Sequence, residues 1–117
     1  MAAAAITNLA GGNTTQALDA ASMALQGSLG LVCAPIANRV EAPCLGNNIN
    51  AATNALVSTN MVLADYDAVV PLDEVIGAAD QIGQSIAREL RCTALGGLSI
   101  TSTSKRLEQQ LADKKKC

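Results

Sequence analysis

Apolar residues recur along this chain at spacings of three and four, which predicts helices from end to end. Ala2 to Leu9 reads as a helix closed by Gly11 and Gly12, which supply a left-handed stop. Asn13-Thr14-Thr15-Gln16 then has the form of a capping box. Leu18, Ala21, Leu25 and Leu29 put one apolar stripe on the helix that follows, and Gly30 ends or bends it. Leu31 to Gly46 breaks the pattern with Pro35, Pro43 and two cysteines, so it reads as an irregular connection. The next helix is expected from Asn47 or Asn48 to Ala64, with Ile49, Ala52, Leu56 and Leu63 inward, and Asp65-Tyr66-Asp67 as a loop. Pro71-Leu72-Asp73-Glu74 opens a third helix, where proline is tolerated and the acidic pair suits the positive dipole end. Its stripe, Leu72, Val75, Ala79, Ile82, Ile86 and Leu90, runs to Arg91. Gly96-Gly97 makes a turn, and Ser102, Thr103 or Ser104 caps a last helix from about Lys105 to Asp113. No alternating pattern is sustained, and no repeat, low-complexity linker or domain boundary stands out. The expected fold is all-α, a compact helical domain with an irregular cysteine-bearing loop.

Composition narrows the function. The 117 residues fit one domain, half are hydrophobic, and Tyr66 is the lone aromatic, with no Phe, Trp or His. An Ala-rich core without rings packs by close helix approach and buries less apolar area, so at this size it is marginal alone. High hydrophobicity and a net charge of -2 exclude disorder by composition. Apolar runs are broken well short of a membrane span. A pI near 4.9, basic residues clustered only at Lys114-Lys115-Lys116 and the shortage of aromatics argue against nucleic acid. A histidine base is excluded within this chain. No positive, long-apolar leader is read at Met1-Ala2-Ala3-Ala4-Ala5-Ile6, so the expected compartment is the reducing cytoplasm, where cysteines take thiolate or metal roles.

The four cysteines are Cys33, Cys44, Cys92 and Cys117. Ten residues separate Cys33 from Cys44, and each has a proline close by, in Cys33-Ala34-Pro35 and Pro43-Cys44. On a rigid, non-helical loop the two could converge. Spacing alone favours two buried small hydrophobes, since ten intervening residues match neither a zinc knuckle nor a ferredoxin.

The longer string from Gly30 to Cys44, GLVCAPIANRVEAPC, resembles the GLxCDPxxGxVExPC segment of iron–sulfur-dependent bacterial L-serine dehydratases. Asn48 falls where that family has the Asn of an RNA triplet, Val70 to Ile76 resembles IPxDEVI, and Gly96-Gly97-Leu98 resembles GGLA. Met1 to Ala5 with Gly11-Gly12 resembles an SMAAA…GG stretch, so the resemblance covers essentially the whole chain. It implies an L-serine ammonia-lyase that forms pyruvate and ammonia with a [4Fe-4S] cluster held by three thiolates. The iron left open acts as a Lewis acid on the serine hydroxyl. Cys33 and Cys44 then correspond to two ligands. The third lies in a GCQxExG segment that the family places directly before SMAAA. The chain is therefore expected to be the C-terminal part of an α domain, as an N-terminal truncation, a fragment or a split subunit, and inactive alone. Its implied partners are L-serine, the rest of the α domain and a β subunit or domain, with the full enzyme a possible homodimer.

Three positions depart from the family string: Ala34 for Asp, Asn38 for Gly, and Asn47 for the triplet Arg. The first removes a carboxylate that could support a ligand, and the last removes a cation beside the site. Glu41 and Asn48, close to the cysteine string, are candidates for contacts that support the ligands. Cys92 stands where many members have an acidic residue and reads as a packed or surface thiol. Some members end in a cysteine that turns back onto the open iron. Cys117 is a candidate for that role, although a solvated tail thiol after three lysines is the favoured reading. The competing functional reading is a non-catalytic helical module that pairs with another subunit through its Ala-rich faces. A third is a secreted helical protein stapled by disulfides, for which four cysteines allow three connectivities.

Overall fold

The computed structural model describes residues 1–37, 39 and 41–114, and for 41 and 42 the backbone alone. Its helices are α1 (Ala2–Leu9), α2 (Thr14–Gln26), α3 (Glu41–Leu63), α4 (Leu72–Ser85) and α5 (Ser102–Lys114), with 3₁₀ turns at Arg88–Leu90 and Gly97–Ile100. Among the described residues β pairing is confined to isolated bridges. The fold is all-α, as the periodicity implies. No described helix is long and apolar enough to cross a membrane. The chain forms two compact units, Met1–Gly30 with Ile49–Ser85, and Leu31–Asn48 with Ile86–Cys117.

The first unit is built on small residues. Ala3, Ala20, Ala55 and Val62 form its buried centre, with Ile6, Met23 and Ala24 packed against them. Hydroxyls and amides fill the remaining helix contacts. Thr7 and Thr59 are buried, their hydroxyls lie 3.1 Å apart, and both reach the Ala3 carbonyl, at 2.9 and 3.1 Å. Ser22 donates to the Val70 carbonyl at 2.6 Å, and the Asn54 amide donates to Ala24 at 2.8 Å. Each bond satisfies a polar atom that would otherwise be costly to bury, and no buried side-chain N or O among the described residues lacks a partner.

This packing corrects part of the expected stripes. In α3 the inward face is Ala55, Ser58, Thr59 and Val62, whereas Ile49 (56% exposed), Leu56 (53%) and Ala52 lie outside. In α2, Ala20, Ala21 and Ser22 are buried and Leu18 is 51% exposed. Helices that approach closely leave room for Ala, Ser and Thr at the contact, so the larger aliphatics move to its margins. Leu18, Leu25, Leu72 and Ile76, with Ala4 and Ala51, line an apolar groove of about 510 Å³.

The element ends follow local chemistry. The Asn13 capping box forms as expected, with both reciprocal bonds in place at 2.9 and 3.0 Å, and Gly11 takes the left-handed conformation at φ +91°. The expected irregular segment ends earlier than Gly46, because α3 already begins at Glu41. Pro43 is its third residue, where a missing N–H costs nothing since first-turn donors have no partner inside the helix. The third expected helix stops at Ser85 rather than Arg91. Ser85 turns its hydroxyl back onto the Gln81 carbonyl at 2.7 Å, an alternative to continuing the ladder. The last helix starts at Ser102, and its cap is Thr101, whose hydroxyl accepts from the Ser104 N–H at 3.3 Å.

Two glycines separate packing from propensity. A Cβ at Gly12 would sit 2.6 Å from Thr7 Cγ2 and 2.9 Å from the Thr7 carbonyl, whereas one at Gly77, inside α4, meets nothing within 4 Å. Gly12→Ala is expected to cost about 1–3 kcal/mol through overpacking. Gly77→Ala should gain about 0.5–1 kcal/mol through helix propensity. Urea unfolding followed by far-ultraviolet circular dichroism measures both, and equal effects would contradict the packing described for α1.

Candidate functional site

The second unit carries the cysteines. After Gly30, at φ +73°, the chain runs without helix through Leu31 to Ile36. Cys33 pairs there with Arg91 as a single parallel bridge. The Cys33 N–H donates to the Leu90 carbonyl at 3.2 Å, and the Cys92 N–H donates to the Cys33 carbonyl at 3.0 Å. Further bonds hold the same loop from its other end. The buried Ser99 donates its hydroxyl to the Pro35 carbonyl at 2.7 Å, and the Ala37 N–H donates to the Ser104 hydroxyl at 3.0 Å.

The Gly96-Gly97 turn fits this loop sterically. A Cβ on Gly97 would come within 3.1 Å of Ala34 Cβ, and one on Gly96 within 3.0 Å of the Glu89 carbonyl. Gly97 also has φ +58°, a conformation that side chains disfavour. Ala34, buried at 3%, packs at this point.

Cys44 enters from the first turn of α3 and Cys92 from the turn after Leu90. Cys33, Cys44 and Cys92 are free thiols, the first two half-buried and the third exposed. Hydrogen bonding toward both of the others helps to push the Cys33 thiol up from 9.0 to about 12. The bond with Cys92 is the largest cause, followed by desolvation, the bond with Cys44 and repulsion between the thiolates. Each of these favours the protonated thiol. No three His, Cys, Asp or Glu among the described residues are arranged to hold one metal ion. The three thiols are neighbours without being a closed single-ion site.

The structure sets both Cys44 and Cys92 near Cys33, and the sequence reading had set Cys92 aside. Periodicity carries no sign of this. The backbone explains it: Cys92 has φ +62°, a conformation uncommon for a side-chain-bearing residue, immediately beyond the bridge to Cys33. Asn48 is exposed on α3 and Asn47 is half-buried. The Glu41 side chain, Asn38 and Cys117 lie outside the described residues.

The chain matches the family model described as "Serine dehydratase alpha chain" over residues 1–99 and belongs to that family. It is 44% identical over 111 residues to the "Probable L-serine dehydratase, alpha chain" of Bacillus subtilis (strain 168), covering 95% of this chain and 37% of that protein. Its identity to the protein of the same name in Latilactobacillus sakei is also 44%, covering 95% of this chain and 53% of the relative. For the "L-serine dehydratase, alpha chain" of Peptoniphilus asaccharolyticus the identity is 42%, over 93% of this chain and 37% of the relative. The chain therefore spans between about a third and a half of the length of these relatives. No solved structure matches it.

The thiol geometry sets an order of reactivity. Folding raises the Cys33 pKa, so between pH 9 and about 12 the unfolded chain releases this proton while the folded chain keeps it. The contribution of Cys33 to stability is intact below pH 9 and falls through that window. Alkylation by iodoacetamide at mildly alkaline pH should label Cys92 before Cys33. Cys92→Ala should speed Cys33 labelling by removing the largest cause of its shift. Unchanged Cys33 labelling in that variant would contradict the thiol contact.

Proposed function

We propose that this chain is the cluster-bearing C-terminal part of the α domain of an L-serine ammonia-lyase, and that Cys33 and Cys44 are two of three thiolate ligands of a [4Fe-4S] cluster. The observation that carries this reading is the meeting of the two thiols, one on a loop pinned by backbone bonds and the other on the first turn of a helix. Soft thiolates suit iron–sulfur clusters. Absence of a closed single-ion site is compatible with a larger cluster whose remaining ligand lies outside these 117 residues. When bound, such a cluster supplies an iron with an open position, a Lewis acid for the hydroxyl that leaves L-serine.

The chain's own part in this reading is positional. The Cys33–Arg91 bridge and the Ser99 and Ser104 hydroxyls fix the loop. Pro43 and Cys44 lie in the first turn of α3, which carries the second thiol near the first. To hold iron, Cys33 would give up the proton that its surroundings favour, since a coordinating thiol is deprotonated. The words "alpha chain" in the relatives' names support a β subunit as partner, and L-serine as substrate rests on those same names. Free thiols fit a reducing compartment such as the cytoplasm.

Anaerobic reconstitution with iron and sulfide tests the reading. The chain is expected to take up iron with visible absorption, and Cys33→Ser or Cys44→Ser should lose most of it while circular dichroism stays native. Iron content unchanged in both variants would overturn the assignment. The chain alone is expected to release no pyruvate from L-serine, because two thiolates hold at most an incomplete cluster. Pyruvate formation by the purified chain would contradict the need for a further segment.

A further inference from the structure

Cys92 has no part in the proposed ligand set, yet it sits closer to Cys33 in the backbone network than Cys44 does. Its N–H donates to the Cys33 carbonyl at 3.0 Å, on the flank of the bridge between Cys33 and Arg91. A bond of that length between neighbouring backbones keeps the two α-carbons within the span a disulfide bridges, about 4.4–6.8 Å. The side chain of the residue after a bridge ordinarily points away from the partner. At Cys92 the left-handed backbone, φ +62°, turns it back, and the thiol meets Cys33. A non-glycine residue in this conformation is strained, and such strain gathers where a site needs it. One thiol is exposed and the other half-buried, an arrangement in which one can be attacked from solvent and the other closes the bond.

We infer that Cys33 and Cys92 form a reversible intramolecular disulfide by exchange with a small-molecule disulfide. The exposed Cys92 thiolate attacks one sulfur of the small disulfide, giving a mixed disulfide and releasing one small thiol. Cys33 then loses its proton to solvent and attacks the Cys92 sulfur, which forms the Cys33–Cys92 bond and expels the second small thiol. Two protein thiols are oxidised, one small disulfide is reduced to two thiols, and the protons balance. Because Cys92 is the exposed thiol and Cys33 the half-buried one, Cys33 serves as the second nucleophile. The bond needs no cluster. Its consequence, that an oxidised Cys33 is withheld from iron, rests on the reading proposed above.

Oxidised glutathione is the probe, added to the reduced full chain, followed by acid quenching and tryptic mapping without reduction. Cleavage at Arg39, Arg88 and Arg91 puts Cys33, Cys44 and Cys92 on three different peptides. The expected product is the Cys33–Cys92 linked pair, reversed by dithiothreitol, retained in Cys44→Ser and lost in Cys92→Ala. A glutathione adduct on Cys92 without the linked pair would overturn the inference. So would a dominant Cys33–Cys44 link, or a Cys33–Cys92 link that forms only in denaturant. Iron uptake by the reduced Cys92→Ala chain is a separate readout. Its loss counts against the two-ligand reading, while disulfide mapping decides the exchange.

Discussion

Two backbone hydrogen bonds fix the loop that carries Cys33, one from Cys33 to Leu90 and one from Cys92 to Cys33. They join a loop without regular structure of its own to a turn some sixty residues later in the sequence. An unpaired loop at this place would leave buried polar backbone groups unsatisfied. The bridge, with the Ser99 and Ser104 hydroxyls, satisfies them and fixes the first thiol in the same stroke. Gly96 and Gly97 follow from it, because a side chain at either would press on Glu89 or Ala34. Cys44 needs only the helix start that Pro43 permits.

The other unit solves a different problem, the stability of a core with no rings. It brings helices close with Ala, Ser and Thr at the contacts and gives each buried hydroxyl a hydrogen-bond partner. Close approach gains dispersion contacts at the expense of apolar area, so bulky aliphatics such as Leu18 and Ile76 line an open groove instead of filling the centre.

The helices, the capping box at Asn13 and the stop at Gly11 were legible because each rests on local chemistry, repeated over one or two turns. The faces of α2 and α3 were not. A rule that sends the largest aliphatic inward misassigns Ile49 and Leu56 when the contact selects small residues. The start of α3 was hidden by Pro43, which reads as a breaker until it is seen in a first turn. Cys33 and Cys44 were legible through a string of residues rather than their spacing. Cys92 was not, since its place depends on a long-range bridge and a left-handed backbone that no local pattern announces.

The central claim is that thiolates of this loop and helix start bind iron together with sulfur. X-ray absorption at the iron edge of the anaerobically reconstituted chain tests it most directly. Sulfur as the nearest neighbour of iron, lost in the Cys33→Ser/Cys44→Ser double variant, is the expected result. Iron surrounded by nitrogen or oxygen alone, or a sulfur shell that survives in the double variant, would contradict it.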